Sequence, residues 1–142
     1  MLEKHFRALE AMYHAAPINE FFLPVAQIGE GRAIIEIEVR PTLFHAAGAA
    51  HGSVYFKCLD DAAFFAVNSI VPDVFVLTTS FTVYLMRPVT EGTLVATGTL
   101  VSRSKNLFVA DSELRNNGKL VGKGSGTFMR SAIELTPEVG YK

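Results

Sequence analysis

The sequence predicts an α+β fold in which an antiparallel sheet wraps around one long central apolar helix. Three observations predict it. Residues 53–69 (SVYFKCLDDAAFFAVNS) are apolar on almost every side, the mark of a buried helix. After Pro72 the apolar period drops to two, across 75–87, 93–103, 107–116 and 119–130. Asn117-Gly118 separates the last two of these strands, and both residues tolerate the positive φ of a tight hairpin.

The elements follow in order from the start of the chain. Residues 2–15 place Leu2, Phe6, Leu9 and Tyr13 at helical spacing, and Pro17 ends that helix. Pro24 keeps the next stretch irregular or at a sheet edge. Residues 32–40 alternate, with Ala33, Ile35, Ile37 and Val39 on one face and Glu36, Glu38 and Arg40 on the other. A half-buried strand reads this way. Residues 41–52 form a loop rich in small side chains and lead into the apolar helix. The expected order is helix, strand, buried helix, then four antiparallel strands. A sheet with one helix against it leaves an edge and a face uncovered, so self-association is expected.

The 142 residues fit one domain spanning 1–142, with its core over 30–130 and no repeat or linker. Composition bounds the function classes. A net charge of −1 gives no field to recruit nucleic acid or an anionic membrane. No apolar run approaches the ~20 residues of a membrane span. Residues 1–7 are charged and lack a leader's apolar segment. Cys58 is the only cysteine, which excludes an intrachain disulfide and suits a reducing, cytoplasmic setting. The four histidines form no HxxxH or HxH pair, and no GxGxxG or P-loop occurs, so neither a metal nor a nucleotide cofactor is expected.

Chemistry concentrates between His45 and Asn68. Lys57, Asp60 and Asp61 are the only charged residues of the apolar helix. Asp61 shares a partly polar stripe with Lys57 and Asn68. Asp60 shares its stripe with Ser53, Phe56, Ala63, Phe64 and Val67, so its carboxyl has the harder position to explain. Lys57 stands within reach of either aspartate. By spacing alone, Asp60 is either a satisfied structural carboxylate or a base or nucleophile whose basicity burial raises. His51-Gly52-Ser53 leads into the helix. The first N–H groups of a helix lack internal acceptors and carry partial positive charge, which suits them to hold an oxyanion. A turn explains the His-Gly pair equally well. Phe56, Phe64, Phe65 and Tyr84 fit a pocket wall or the core alike.

Residues 45–64 (HAAGAAHGSVYFKCLDDAAF) resemble the signature of hotdog-fold acyl-CoA thioesterases, the branch that includes phenylacetyl-CoA-pathway enzymes and mammalian thioesterase superfamily members. That signature runs from an Asn through a small-residue stretch to His-Gly-Gly, then a helix with a catalytic Asp nine residues after the His. His51, Gly52 and Asp60 stand at the matching positions. Arg87-Pro88 after FTVYLM and the strand order agree as well. His45 replaces the Asn, and Ser53 the second Gly. Thr78 matches the family's Ser or Thr after the helix, with Thr79 as a substitute.

The resemblance implies hydrolysis of an acyl-CoA by a homodimer, or a dimer of dimers, with sites shared between chains. In such a site Gly52 N–H polarises the carbonyl with help from His45, and His51 orients the helix start. Asp60 acts as base or nucleophile, and Thr78 positions water or the carboxylate. Coenzyme A phosphates need cations, and Arg87, Arg103, Lys105 and Lys123 are the candidates, with Arg103-Ser104-Lys105 the leading group. Two other readings stay open: a hydratase or dehydratase of acyl thioesters on the same fold, and a non-catalytic acyl-CoA binding or regulatory module.

Overall fold

The computed structural model describes residues 2–142. Helix α1 (Leu2–Ala15) buries His5, Phe6, Leu9, Met12 and Tyr13 along one stripe, as its spacing dictates. A single helical turn, α2 (Asn19–Phe22), follows. The strands are β1 (Val25–Gly29), β2 (Arg32–Glu38), β3 (Val74–Leu85), β4 (Thr93–Arg103), β5 (Leu107–Asn116) and β6 (Lys119–Glu134). The long helix is α3 (Gly52–Asn68).

All six strands join one antiparallel sheet in the order β1-β2-β4-β5-β6-β3. The expected alternation of β2 holds, since Ala33, Ile35 and Ile37 are wholly buried. Strand β1 is one more than the sequence pattern counted. It turns only Ala26 and Ile28 inward, too few residues to register as a period of two. Of the two positions that Pro24 left open, the following stretch takes the sheet edge.

Helix α3 packs across one face of the sheet, against β2, β4 and β5 above all. Gly98 of β4 sets how deep it lies, because a Cβ there would stand 2.1 Å from the Ala62 carbonyl oxygen. The helix backbone therefore rests directly on β4, and Leu59, Ala62, Ala63 and Val67 are buried beneath it. Ser112 of β5 pins the same helix by donating to the Leu59 carbonyl at 2.8 Å. Among the described residues no helix is long and apolar enough to cross a membrane.

The two sheet edges differ. Along β1, helix α1 satisfies the outward backbone groups. Ala26 N–H donates to His14 Nε2 at 3.1 Å and Ile28 N–H to a Glu10 carboxylate oxygen at 2.7 Å, while Arg7 donates to Ile28 O at 2.8 Å. Strand β3 has such cover only at its start, where the Asn68 side chain accepts the Val76 N–H at 3.1 Å and donates to the Val74 carbonyl at 3.0 Å; among the described residues no helix bonds its outer side beyond Val76. It carries exposed Leu77, Tyr84 and Leu85, with Met86 just beyond. Unpaired ladder groups beside apolar side chains make an edge that invites another strand.

Candidate functional site

The loop before α3 is held at several points. His45 N–H donates to Ala49 O at 2.9 Å, Ala50 N–H to Val89 O at 2.9 Å, and His51 N–H to Leu43 O at 2.9 Å. Gly48 takes φ of +86°, which a side chain would resist. His51 is the N-cap of α3, and its Nδ1 accepts the Ser53 N–H at 3.0 Å. Ser53 Oγ lies 2.9 Å from the same nitrogen. The cap consumes the Ser53 N–H and leaves the Gly52 N–H, first in the helix, without an intrahelical acceptor.

Gly52 opens onto a groove of ≈ 290 Å³ lined also by His45, Ala49, Tyr55, Leu85, Met86 and Arg87. His45 Nδ1 accepts the Ala47 N–H at 3.0 Å. The Nε2 position therefore carries the ring proton and can donate. Tyr55 donates its hydroxyl to the Arg87 carbonyl at 2.6 Å, tying α3 to the end of β3. The groove thus gathers Gly52, His45 and Arg87 around one exposed opening.

Asp60 lies elsewhere. Eight residues along α3 separate it from Gly52, about 12 Å of helix rise. It lines a second cavity, also ≈ 290 Å³, with Thr78, Leu77, Phe64, Phe65, Phe75 and Tyr13. Thr78 Oγ1 donates to Asp60 Oδ1 at 3.0 Å. Thr79 points away and bonds Thr127, at 3.0 Å to its carbonyl and 2.7 Å to its hydroxyl. A register shift between Thr78 and Ser80 goes with this.

The aspartates separate by partner. Lys57 Nζ lies 2.7 Å from Asp61 Oδ2, and the Tyr13 hydroxyl donates to the same oxygen at 2.6 Å. The lysine also sits 5.2 Å above the Tyr13 ring and 5.1 Å above that of Phe22. Asp61 is thereby ion-paired and hydrogen-bonded, and Lys57 is engaged with it. Asp60 keeps, among the described residues, only the Thr78 hydroxyl. Burial, then the neighbouring Asp61 charge, pushes its carboxyl up from 3.8 to about 6, against the opposing pulls of Thr78 and Lys57. The Tyr13 phenol is pushed up by burial and Asp61, so it stays a donor. Burial likewise raises the Cys58 thiol, an inert core group.

The other sequence candidates fall as follows. Arg103, Ser104 and Lys105 form the exposed β4–β5 turn. Arg103 pairs in register with Phe108, which pairs with Phe128, which pairs with Thr78, so the turn stands three strands from Asp60 in the same chain. Ser104 closes this turn through Leu107. Phe64 and Phe65 line the Asp60 cavity, whereas Phe56 and Tyr84 are exposed. Sequence reasoning passed over Tyr13 and Phe75 as cavity walls. The Tyr13 position on the buried stripe of α1 was the available signal. Among the described residues no three of His, Cys, Asp or Glu converge as a metal site needs.

Comparison with known proteins places this geometry. The chain resembles the PaaI protein of the E. coli phenylacetic acid degradation operon at TM-score 0.85 and 24% identity, over 94% of this chain and 98% of that one. It resembles a mutant of the phenylacetic acid degradation protein PaaI from Thermus thermophilus at TM-score 0.74 and 26% identity, over 82% and 100%. A candidate esterase of Saccharolobus solfataricus is 22% identical over 130 residues, 89% of this chain and 93% of the relative. The model of the thioesterase superfamily matches residues 47–123, the span that carries Gly52, Asp60 and Thr78. Because that match takes in more than half of the sequence, the chain belongs to the thioesterase superfamily.

Proposed function

We propose that this chain hydrolyses acyl-coenzyme A thioesters, with Asp60 as the essential carboxylate. The observation that carries the reading is the Asp60 carboxyl itself. It is largely buried, hydrogen-bonded by Thr78, left without a cation by the Lys57–Asp61 pair, and poised at about 6. A general base works best near its operating pH.

The reaction needs an oxyanion donor and a base at one carbonyl, each within hydrogen-bond reach. About 12 Å of helix between Gly52 and Asp60 forbids that within one protomer. A two-chain site resolves the conflict, and the uncovered β3 edge, bearing Leu77, Leu85 and Met86, supports a homodimer joined there. One protomer then supplies Gly52 N–H, with His45 Nε2–H beside it, to the thioester oxygen. Its partner supplies Asp60 and Thr78. In the base form, Asp60 takes a proton from water as the water oxygen bonds to the carbonyl carbon. The tetrahedral intermediate collapses, the carbon–sulfur bond breaks, and the proton passes to the thiolate. The products are a free acid and coenzyme A. In the nucleophile form, the Asp60 carboxylate bonds to the carbonyl carbon and the carbon–sulfur bond breaks, giving a mixed anhydride and the coenzyme A thiolate; water then cleaves the anhydride to the free acid, restoring the carboxylate, and the remaining proton passes to the thiolate. His51 serves this scheme as the cap that holds the helix start. The buried lone cysteine fits a reducing, cytoplasmic setting.

A thiol-reactive dye assay on short, medium, long and aryl acyl-CoAs tests the reading. Thiol release with at least one class, lost in Asp60→Asn, is the expected result. Coenzyme A binding without thiol release from any class would replace it with a non-catalytic module.

A further inference from the structure

Strand β3 carries a β-bulge near its middle. Thr78 pairs with Phe128 and Ser80 with Thr127, so three residues of β3 lie against two of β6. Sidedness alternates along a strand, and the extra residue reverses which side chains face the helix. Before the bulge, Val76 and Thr78 turn toward α3. Val76 is wholly buried, and Thr78 reaches Asp60 at 3.0 Å. After the bulge, Phe81 and Val83 pack against the core and Leu85 lies beside Gly52.

The side that β3 shows after the bulge is fixed by packing. Phe81 lies over Gly124 and Gly126 of β6, where a Cβ on Gly124 would stand 2.6 Å from its ring. The same ring meets that of Phe56 on α3 edge-on, with centroids 5.5 Å apart. A regular strand that kept Phe81 inward would turn Thr79 to the helix and Thr78 away from it. The bulge therefore decides which of two adjacent threonines meets the carboxylate. One residue of β6 engages both Thr79 and Ser80. Thr127 Oγ1 lies 2.7 Å from Thr79 Oγ1 and 2.7 Å from Ser80 Oγ, and its carbonyl accepts the Thr79 hydroxyl at 3.0 Å. These side-chain bonds stand where a bulge interrupts the ladder.

We infer that Thr127 is a positioning residue for the Asp60 carboxyl: its hydroxyl latches the Thr79–Ser80 bulge, and the latched bulge aims Thr78 at Asp60. This rests on the reading of Asp60 as the working carboxylate. Thr127 does not line the Asp60 cavity and acts only through the strand. The ionisable groups around Asp60 are Asp61 and Lys57 of α3, with Tyr13 of α1 on the same cavity wall. Thr127 adds no charge to this set, so a change in Asp60 titration on loss of its hydroxyl reports geometry. With the latch open, the Thr78 hydroxyl no longer holds its place, and the carboxyl loses the bond that favours its charged form.

The test follows the Asp60 carboxyl by carbon-13 NMR titration of the full chain, beside the pH profile of thioester hydrolysis. Thr127→Val keeps the branched shape that suits a strand and removes the hydroxyl. It is expected to move the Asp60 midpoint upward, as Thr78→Val does, by up to ~1 pH unit, the scale of one hydrogen bond to a carboxylate. The acid limb of kcat/KM should move with it, and Thr127→Ser, which keeps the hydroxyl, should leave both in place. Because Thr127 acts through Thr78, Thr78→Val/Thr127→Val should shift no further than Thr78→Val alone. Thr79→Val/Ser80→Ala opens the latch from the other strand and should give the same shift, which decides the matter if Thr127→Val folds poorly. An unmoved midpoint in either folded latch variant overturns the inference. So does a shift in Thr78→Val/Thr127→Val equal to the sum of the two single shifts. If the midpoint moves as expected while the unaltered chain hydrolyses no thioester, the hydrolytic reading fails and the latch stands.

Discussion

Thr78 donates its hydroxyl to Asp60 across 3.0 Å, from an edge strand to the central helix, and is the only side chain that bonds this carboxylate among the described residues. The bond favours the charged form and holds the carboxyl below the value that burial alone would impose. Thr78→Val should therefore move the acid limb of the pH–rate profile upward and lower activity several-fold, a neutral change in shape with one hydrogen bond lost. An acid limb that stays in place would show that Thr78 does not tune the working carboxylate.

Asp60 and Asp61 should separate sharply in mutagenesis. Asp60→Asn should cost about 100- to 10,000-fold in kcat, the usual weight of a positioned general base. Asp61→Asn should keep measurable turnover. It should move the acid limb downward, because the Asp61 charge raises the Asp60 carboxyl and its loss frees Lys57. It should also lower Tm, since Lys57 would be left half-enclosed without its carboxylate. An inactive Asp61→Asn beside an active Asp60→Asn would reverse the assignment.

The pH dependence follows from the same carboxyl. Activity that needs the carboxylate should fall below about pH 6. Stability carries the opposite sign. The folded chain holds the Asp60 proton more tightly than the unfolded chain, so stability is lost as pH rises from 3.8 through about 6. That loss is at most about 3 kcal/mol. Asp60→Asn escapes it. Its Tm should match or exceed the unaltered chain at neutral pH and converge with it in acid. Thermal melts across that range check the sign, and a variant much less stable at neutral pH contradicts it.

His45 should act as a donor to the thioester oxygen, since Ala47 N–H occupies its Nδ1 and leaves Nε2–H outward. His45→Asn should retain activity within about tenfold, while His45→Ala should lose about 100-fold, the scale of one missing oxyanion donor. Steady-state assays of the three proteins decide, and equal rates would make His45 a bystander.

The shared site is testable by mixing two inactive variants. Gly52→Pro removes the oxyanion N–H with little strain on the backbone. Proline is favoured at the first helical position, and His51 already stands at φ −64°, ψ 147°, the extended region that a following proline requires. Asp60→Asn removes the base. In a twofold dimer formed at random, half the dimers are mixed and half their sites intact, so co-expression should restore roughly a quarter of full activity. Native mass spectrometry verifies the mixed dimers. No recovery in their presence, with Gly52→Pro correctly folded, overturns the shared site and the pairing of Gly52 with Asp60.

What the residues determined by themselves was local. The period of α3, the period of two in β2 through β6 and the Asn117-Gly118 turn are properties of adjacent side chains, and they suffice for an α+β sheet around one helix. The nine-residue spacing of His51 and Asp60 is local too. It marks Asp60 through the family resemblance, and the apolar stripe around that carboxyl, written in the same helix, marks it independently. Tertiary structure alone decided the rest. Lys57 could reach either aspartate, and the choice fell to Asp61 because Tyr13, 48 residues away, brings a second donor to that oxygen and a ring beneath the ammonium. Strand β1 was illegible because two inward residues make no period, and it exists because α1 satisfies its outer edge. Thr78 meets Asp60 and Thr79 does not, because β3 takes an extra residue against Thr127, 48 residues from Thr79. Each of these rests on pairing between distant segments, where the energy lies in contacts that no stretch of sequence contains.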